Sequence, residues 1–149
     1  MILTRPGNKT KLAATLEGYF PSGYECYVEP FFGAGGMFYN KKYRAKHNIL
    51  NDLDDDVYNL NVLMQNRPAE LKEAYRQMPY HESLFRYWVK NKETDPIKKA
   101  LRFICLSNFS YLGKADTITT QCFTDDYVRF YRNYEKTLER IKGCKFFNR

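Results

Sequence analysis

The sequence has no Cys-x-x-Cys pair, no membrane-length apolar run, one tryptophan and two histidines. Cys26, Cys105, Cys122 and Cys144 lie far apart, and His47 and His81 do not complete a zinc pattern. A disulfide framework is not expected in a chain of 149 residues, so the thiols suit a reducing cytosol. No stretch is apolar for long enough to span a bilayer. Met1-Ile2-Leu3-Thr4 runs straight into Arg5-Pro6-Gly7, with no secretory signal pattern. Four Asp fall within residues 52 to 56, but the central Gly and terminal Glu of a calcium loop are missing, so no metal is expected. Acids are the minority: 17 Asp and Glu stand against 24 Lys and Arg, a net charge of +7. That balance, with a pI near 9.2, suits an anionic partner such as nucleic acid. Internal repeats and low-complexity tracts are absent as well.

What is present is a globular composition, 44% apolar and 17% aromatic. Lys11 to Tyr19 has helical character and Pro21-Ser22-Gly23 stops it. A strand at residues 25 to 29 then meets Pro30-Phe31-Phe32-Gly33-Ala34-Gly35-Gly36. Glycines there let the backbone turn tightly and approach a ligand closely. Met37 to Ala45 is expected to be helical, and Asn48-Ile49-Leu50 a second strand. Asp52 follows, 19 residues beyond Gly33. An acid at that place can accept hydrogen bonds from both ribose hydroxyls of a nucleoside cofactor. The unit is βαβ, so parallel pairing is expected.

Beyond it, Asp54-Asp55-Asp56 opens a helix. Residues 67 to about 109 are expected to be helical, with Pro68 starting one helix and Asp95-Pro96 capping another. Ile97, Leu101, Ile104 and Leu106 form an apolar face of the latter. Ser110 to Thr124 is expected to be a loop or short hairpin. Thr124-Asp125-Asp126 starts a helix with Val128, Tyr131, Leu138 and Ile141 on one side. Gly143 ends it, and Cys144 to Phe147 forms a third strand.

Four blocks resemble the Dam-type (D12 class) DNA adenine-N6 methyltransferases. Arg5-Pro6-Gly7-Asn8-Lys9 resembles the family's Pro-Gly-Gly-Lys segment, with Asn8 for the second Gly. Val28-Glu29-Pro30-Phe31-Phe32-Gly33-Ala34-Gly35-Gly36 resembles its Glu-Pro-Phe-x-Gly-x-Gly block, and Ile49-Leu50-Asn51-Asp52 its Asn-Asp block. Leu106 to Gly113 is a weaker match to a Leu-Asn-Arg-x-Ser-Phe-x-Gly stretch. The resemblance implies an α/β, Rossmann-like methyltransferase fold with an incomplete parallel sheet and a helical target-recognition insert. Residues 1–66 would bind the cofactor, 67–142 would recognise the target, and 143–149 would start the return strand. S-adenosylmethionine is the implied cofactor. Arg5, Gly7, Lys9, Glu29, Pro30, Phe31, Gly33, Gly35, Gly36 and Asp52 would hold it. Within that set Lys9 would lie near the methionine carboxylate, Glu29 would accept from the amino group and Asp52 would hold the ribose. Double-stranded DNA is the implied partner, with Lys98, Lys99, Arg102, Asn108, Tyr111, Lys114, Arg129 and Arg132 as contacts. The implied setting is a bacterial or phage cytoplasm.

The family's Asp/Asn-Pro-Pro-Tyr/Phe motif, which presents the flipped adenine's amino group to the methyl donor, does not occur in the sequence. Asp95-Pro96 continues with Ile97-Lys98, and Met78-Pro79-Tyr80 lacks the polar residue. A cofactor-binding and DNA-recognition fragment, inactive alone, is therefore expected. Without the motif strand, the strand at residues 25 to 29 would become an exposed edge that invites association with a second chain. A non-catalytic DNA-binding remnant, or one half of a split methyltransferase whose catalytic half a second chain supplies, is the alternative. A nicotinamide oxidoreductase shares the strand, turn and acid, but Glu29-Pro30, the Lys9 segment and the lack of a hydride-transfer site count against it.

Overall fold

The computed structural model describes residues 2–3, 7–110 and 123–149, the last stretch with side chains from residue 128 onward. Three strands form one parallel sheet in the order β1 (Cys26–Glu29), β2 (His47–Asn51), β3 (Lys145–Phe147). Registers pair Cys26 with His47 and Ile49 with Lys145. Leu50 on the central strand is completely buried. A three-residue 3-10 turn, Thr10–Leu12, leads into α1 (Ala13–Glu17). Between β1 and β2 lies α2 (Gly36–Asn40), and after β2 come α3 (Asp55–Asn66), α4 (Pro68–Gln77), α5 (Glu82–Lys90), α6 (Pro96–Phe109) and α7 (Phe123–Ile141).

The local signals for α3 and α6 act as expected. Asp54 and Asp95 cap the two helices by accepting from the backbone N–H of Asp56 and Lys98. Pro68 and Pro96 occupy first-turn positions where a missing N–H costs nothing. From Ala100 to Ser110, α6 and its cap are buried on nearly every side, except at Arg102, because helices pack around it. One hydrophobic core runs from Leu50 in the sheet through Leu60 and Met64 of α3 to Phe130 and Tyr134 of α7. Tyr75 stacks on Phe130 with ring centroids 3.7 Å apart.

Two elements depart from their sequence patterns. The helix expected over Met37 to Ala45 ends at Asn40. Contacts from distant segments stop it: the Glu17 carboxylate accepts from the backbone N–H groups of Lys42 and Tyr43 at 2.8 and 2.7 Å. Arg140 donates to the carbonyls of Phe38 and Lys41 at 2.9 and 2.7 Å. In α7 the buried face is Phe130, Tyr134, Thr137 and Ile141, whereas Val128 is 46% exposed. The expected loop at Ser110 to Thr124 lies almost wholly outside the described residues.

The turn after β1 is tied to the end of β2. Phe32 N–H donates to the Asn51 carbonyl at 2.9 Å, and Gly35 N–H to the Phe32 carbonyl at 2.8 Å. Gly35 has φ +72°, and a Cβ there would lie 2.7 Å from the Phe32 ring and inside contact distance of the Tyr39 ring. Left-handed strain and overpacking therefore add: Gly35→Ala is expected to cost about 2–4 kcal/mol of unfolding free energy, measured by urea denaturation. Gly33 also has a positive φ but only open space where a Cβ would stand, so Gly33→Ala is expected to cost about 1 kcal/mol. Equal losses for the two variants would contradict this assignment.

Candidate cofactor-binding site

Strand alternation puts Tyr27 and Glu29 on the same face of β1. The chain then leaves the sheet at Pro30 and turns through Gly33 to Gly36 into α2. A cavity of about 410 Å³ opens at this point, at the C-terminal ends of β1 and β2. In open α/β sheets that end is where ligands bind. The cavity is lined by Gly7, Asn8, Lys9, Glu29, Phe31, Phe32, Gly33, Ala34, Gly36, Met37 and Asp52. Seven residues expected from the sequence meet there: Gly7, Lys9, Glu29, Phe31, Gly33, Gly36 and Asp52.

Each has an identifiable local reason for its place. Asp52 accepts from the Gly33 N–H at 2.6 Å through Oδ2 and from the Asp54 N–H at 2.9 Å through Oδ1. Ionised carboxylate oxygens retain further acceptor capacity, so Asp52 both braces the turn and offers acceptors to a ligand. Glu29 accepts from the Tyr27 hydroxyl at 2.8 Å through Oε2, and the Phe38 backbone N–H also favours its ionised form. Burial pushes its carboxyl up to about 7 against the pull of these donors and of nearby Lys41. The Lys9 ammonium is exposed and donates to the Gly7 carbonyl at 3.0 Å. Phe31 is 84% exposed at the rim, whereas Phe32 is buried beneath it.

Gly36 is required by the amino-terminal segment. A Cβ there would lie 2.7 Å from the Lys9 backbone nitrogen and overlap the Asn8 side chain. This close approach brings Asn8 and Lys9 against the start of α2. Gly35 is directed at Tyr39 and Phe32 and does not line the cavity, and neither does Pro30. The Pro30 carbonyl instead accepts from the Asn51 side chain at 3.0 Å. Arg5 lies outside the described residues. Asn8, Phe32, Ala34 and Met37 line the wall without having been singled out. Their signal was adjacency to Lys9 and to the glycines.

The basic residues of the helical region divide. Lys98 and Arg132 are exposed, and Arg129 is half-buried. Lys99 pairs with Asp55 and lies 3.8 Å from Asp56. Arg102 donates to the carbonyls of Trp88 and Asn91 at 2.9 and 2.8 Å and faces Asp56 at 3.4 Å. Asn108 is 7% exposed and donates to the Ile2 carbonyl at 2.9 Å. Lys99, Arg102 and Asn108 thus have internal partners here, and Tyr111 and Lys114 lie outside the described residues. Among the described residues no group of three or more His, Cys, Asp or Glu could hold a metal ion. No described helix is long and apolar enough to cross a membrane.

One cation, two carboxylates and a glycine-turned wall around one cavity suit a ligand carrying an ammonium, a carboxylate and vicinal hydroxyls. Comparison with known proteins gives this chemistry a family. The model of the D12 class N6 adenine-specific DNA methyltransferases matches residues 6–148. The chain is 31% identical over 113 residues to the DNA adenine methylase of Escherichia coli (strain K12), covering 72% of this chain and 40% of that protein. It is 30% identical over 134 residues to the DNA adenine methylase of Salmonella typhi, covering 86% of this chain and 47% of that protein. The chain therefore spans less than half the length of these relatives. With a match over nearly its whole length, the chain belongs to the D12 class N6 adenine-specific DNA methyltransferases.

Proposed function

We propose that this chain is the cofactor-binding and DNA-recognition part of an adenine-N6 DNA methyltransferase, with S-adenosylmethionine in the cavity at the ends of β1 and β2. The observation that carries the reading is the convergence of Lys9, Glu29, the Gly33 turn and Asp52 on one cavity. The donor set fits the cofactor. Glu29 can accept from its ammonium, Lys9 can neutralise its carboxylate, and Asp52 can accept from its ribose. Open space beside Gly33 leaves room for it against the turn. The bound cofactor supplies an electrophilic methyl group. The sequence contains no Asp-Pro-Pro-Tyr motif to present an adenine to that methyl, so methyl transfer by this chain alone is not expected. Duplex DNA is the proposed partner, and a bacterial or phage cytoplasm the proposed setting.

A second reading, that another polypeptide completes the enzyme, has its own observation. β1 pairs only with β2 among the described residues and stands at the sheet edge. On one face of the sheet Val28 is 54% and Phe147 38% exposed, beside exposed Cys26, His47 and Lys145. Parallel sheets are ordinarily covered on both faces. A complementary strand and helices would pair that edge and bury that face.

Titration calorimetry is expected to show S-adenosylmethionine binding to the isolated chain, weakened at least about tenfold by Lys9→Ala or Glu29→Gln, as loss of a charged hydrogen-bond partner implies. No methylation of adenine in duplex DNA is expected from the chain alone. Robust transfer would remove the fragment reading, and absence of cofactor binding would remove the functional one. Duplex DNA binding is expected to weaken steeply with salt. Lys98→Ala and Arg132→Ala should each lower the slope of log affinity against log salt by about one. Slopes unchanged in both variants would take these two residues out of the interface. On the second reading the chain self-associates as its concentration rises, and Val28→Lys shifts it towards monomer in sedimentation velocity. A monomer at all concentrations before and after substitution would argue against an adhesive edge.

A further inference from the structure

Tyr27 does not line the cavity, yet it is the residue behind the cavity's half-buried carboxylate, Glu29. It is 8% exposed, and its hydroxyl donates to Glu29 Oε2 at 2.8 Å. Behind the ring lies Lys41, itself only 2% exposed. The Lys41 ammonium sits 4.5 Å from the Tyr27 ring centroid, with the Phe38 ring at 5.5 Å and the Tyr24 ring at 5.8 Å. It is held by a hydrogen bond to the Tyr43 carbonyl at 2.6 Å. A cation over a phenol ring attracts the ring's electrons and so strengthens the hydroxyl as a donor. Burial keeps that hydroxyl protonated by pushing its ionisation far above the usual range, with Glu29 adding to the effect.

We propose that Tyr27 is a positioning residue of the cofactor pocket: backed by Lys41, its hydroxyl fixes one oxygen of Glu29 so that the other is presented to the cofactor's ammonium. The proposal rests on S-adenosylmethionine as the ligand and adds how the chain prepares the carboxylate that receives it. The groups that face Glu29 come from several elements. From β1 comes the Tyr27 hydroxyl, and from α2 the Phe38 N–H with the partly buried Tyr39 nearby. Beyond α2 stands Lys41, with Arg140 of α7 close to it. Lys9 and Asp52 line the same cavity. Desolvation favours the protonated carboxyl, whereas Tyr27, Lys41 and the Phe38 N–H favour the carboxylate. A cationic ligand group needs the carboxylate. Binding therefore strengthens as pH rises towards and through about 7. Removing the Tyr27 hydroxyl moves that rise to higher pH.

Calorimetric titrations with S-adenosylmethionine and with 5′-methylthioadenosine, which lacks the amino-acid group, test this on the whole chain. Wild-type affinity for S-adenosylmethionine is expected to rise about tenfold between about pH 6 and about pH 8, as the competent carboxylate grows from a minor to the major form. Methylthioadenosine should bind with no such rise. Tyr27→Phe, which keeps the ring over Lys41, should shift the midpoint upward and weaken S-adenosylmethionine several-fold near neutrality, with the loss shrinking at higher pH. Lys41→Met, which keeps most of the stem, should shift it in the same direction. Glu29→Gln should abolish the rise. A loss equal at every pH and equal for methylthioadenosine would make Tyr27 a packing residue only and overturn the proposal, as would an unmoved midpoint in both variants. A wild-type chain that binds no S-adenosylmethionine at any pH overturns the functional reading instead.

Discussion

The fold turns on a pair of hydrogen bonds that fasten the glycine turn to the end of β2. Gly33 N–H donates to the Asp52 carboxylate, and Phe32 N–H to the Asn51 carbonyl. A turn leaving one strand cannot otherwise hold a fixed distance from the next. With these bonds made, the cavity has a floor and its wall points towards the carboxyl ends of the strands. Asn51 extends the fastening. Its amide donates to the carbonyls of Pro30 and Arg149, and its carbonyl oxygen accepts from the Arg149 N–H. The adjacent pair Asn51-Asp52 thus joins all three strand ends, one residue through the backbone side of the sheet and the other through the turn.

Three glycines in this turn answer to three different constraints. Gly33 leaves open space on the cavity side, Gly35 is crowded by Phe32 and Tyr39, and Gly36 by Asn8 and Lys9. The last constraint explains how a segment so far ahead of β1 reaches the site. Asn8 packs where Gly36 has no side chain, and Lys9 follows it into the cavity wall. A pattern of Gly-x-Gly-Gly is therefore partly a ligand signal and partly a record of two packing contacts.

That distinction bears on how much the sequence could disclose. The βαβ unit was legible because its determinants are local: an apolar strand, glycines at the turn and an acid at a fixed distance. The caps of α3 and α6 were legible for the same reason. The early end of α2 was not, because Glu17 and Arg140 impose it from far away in the chain. The buried side of α7 was ambiguous, since apolar residues occur on both Val128-Tyr131-Leu138 and Phe130-Tyr134-Ile141. Stacking on Tyr75 selects the second set. The helical cations were hardest to assign. Lys99 and Arg102 look like free surface charges in sequence, but Asp55 and Asp56 on the neighbouring α3 engage them. Net charge counts these residues, whereas the surface potential near a polyanion feels them less.

Glu29 shows how this economy of charge shapes the site itself. The carboxyl is buried enough to ionise only near neutrality, so its folded pKa lies above its unfolded one. Folding then takes up a proton between the ordinary carboxylate range and about pH 7, and stability contributed by this group falls as pH rises through that window. The same rise in pH prepares the site for a cationic ligand, so stability and affinity change in opposite directions. Tyr27, the Phe38 N–H and Lys41 oppose the burial without cancelling it. Stronger opposition would leave a carboxylate already satisfied by its own fold, and less of its charge would remain for the ligand. A half-buried acid held short of full compensation supports the proposal that its charge partner comes with a cationic ligand.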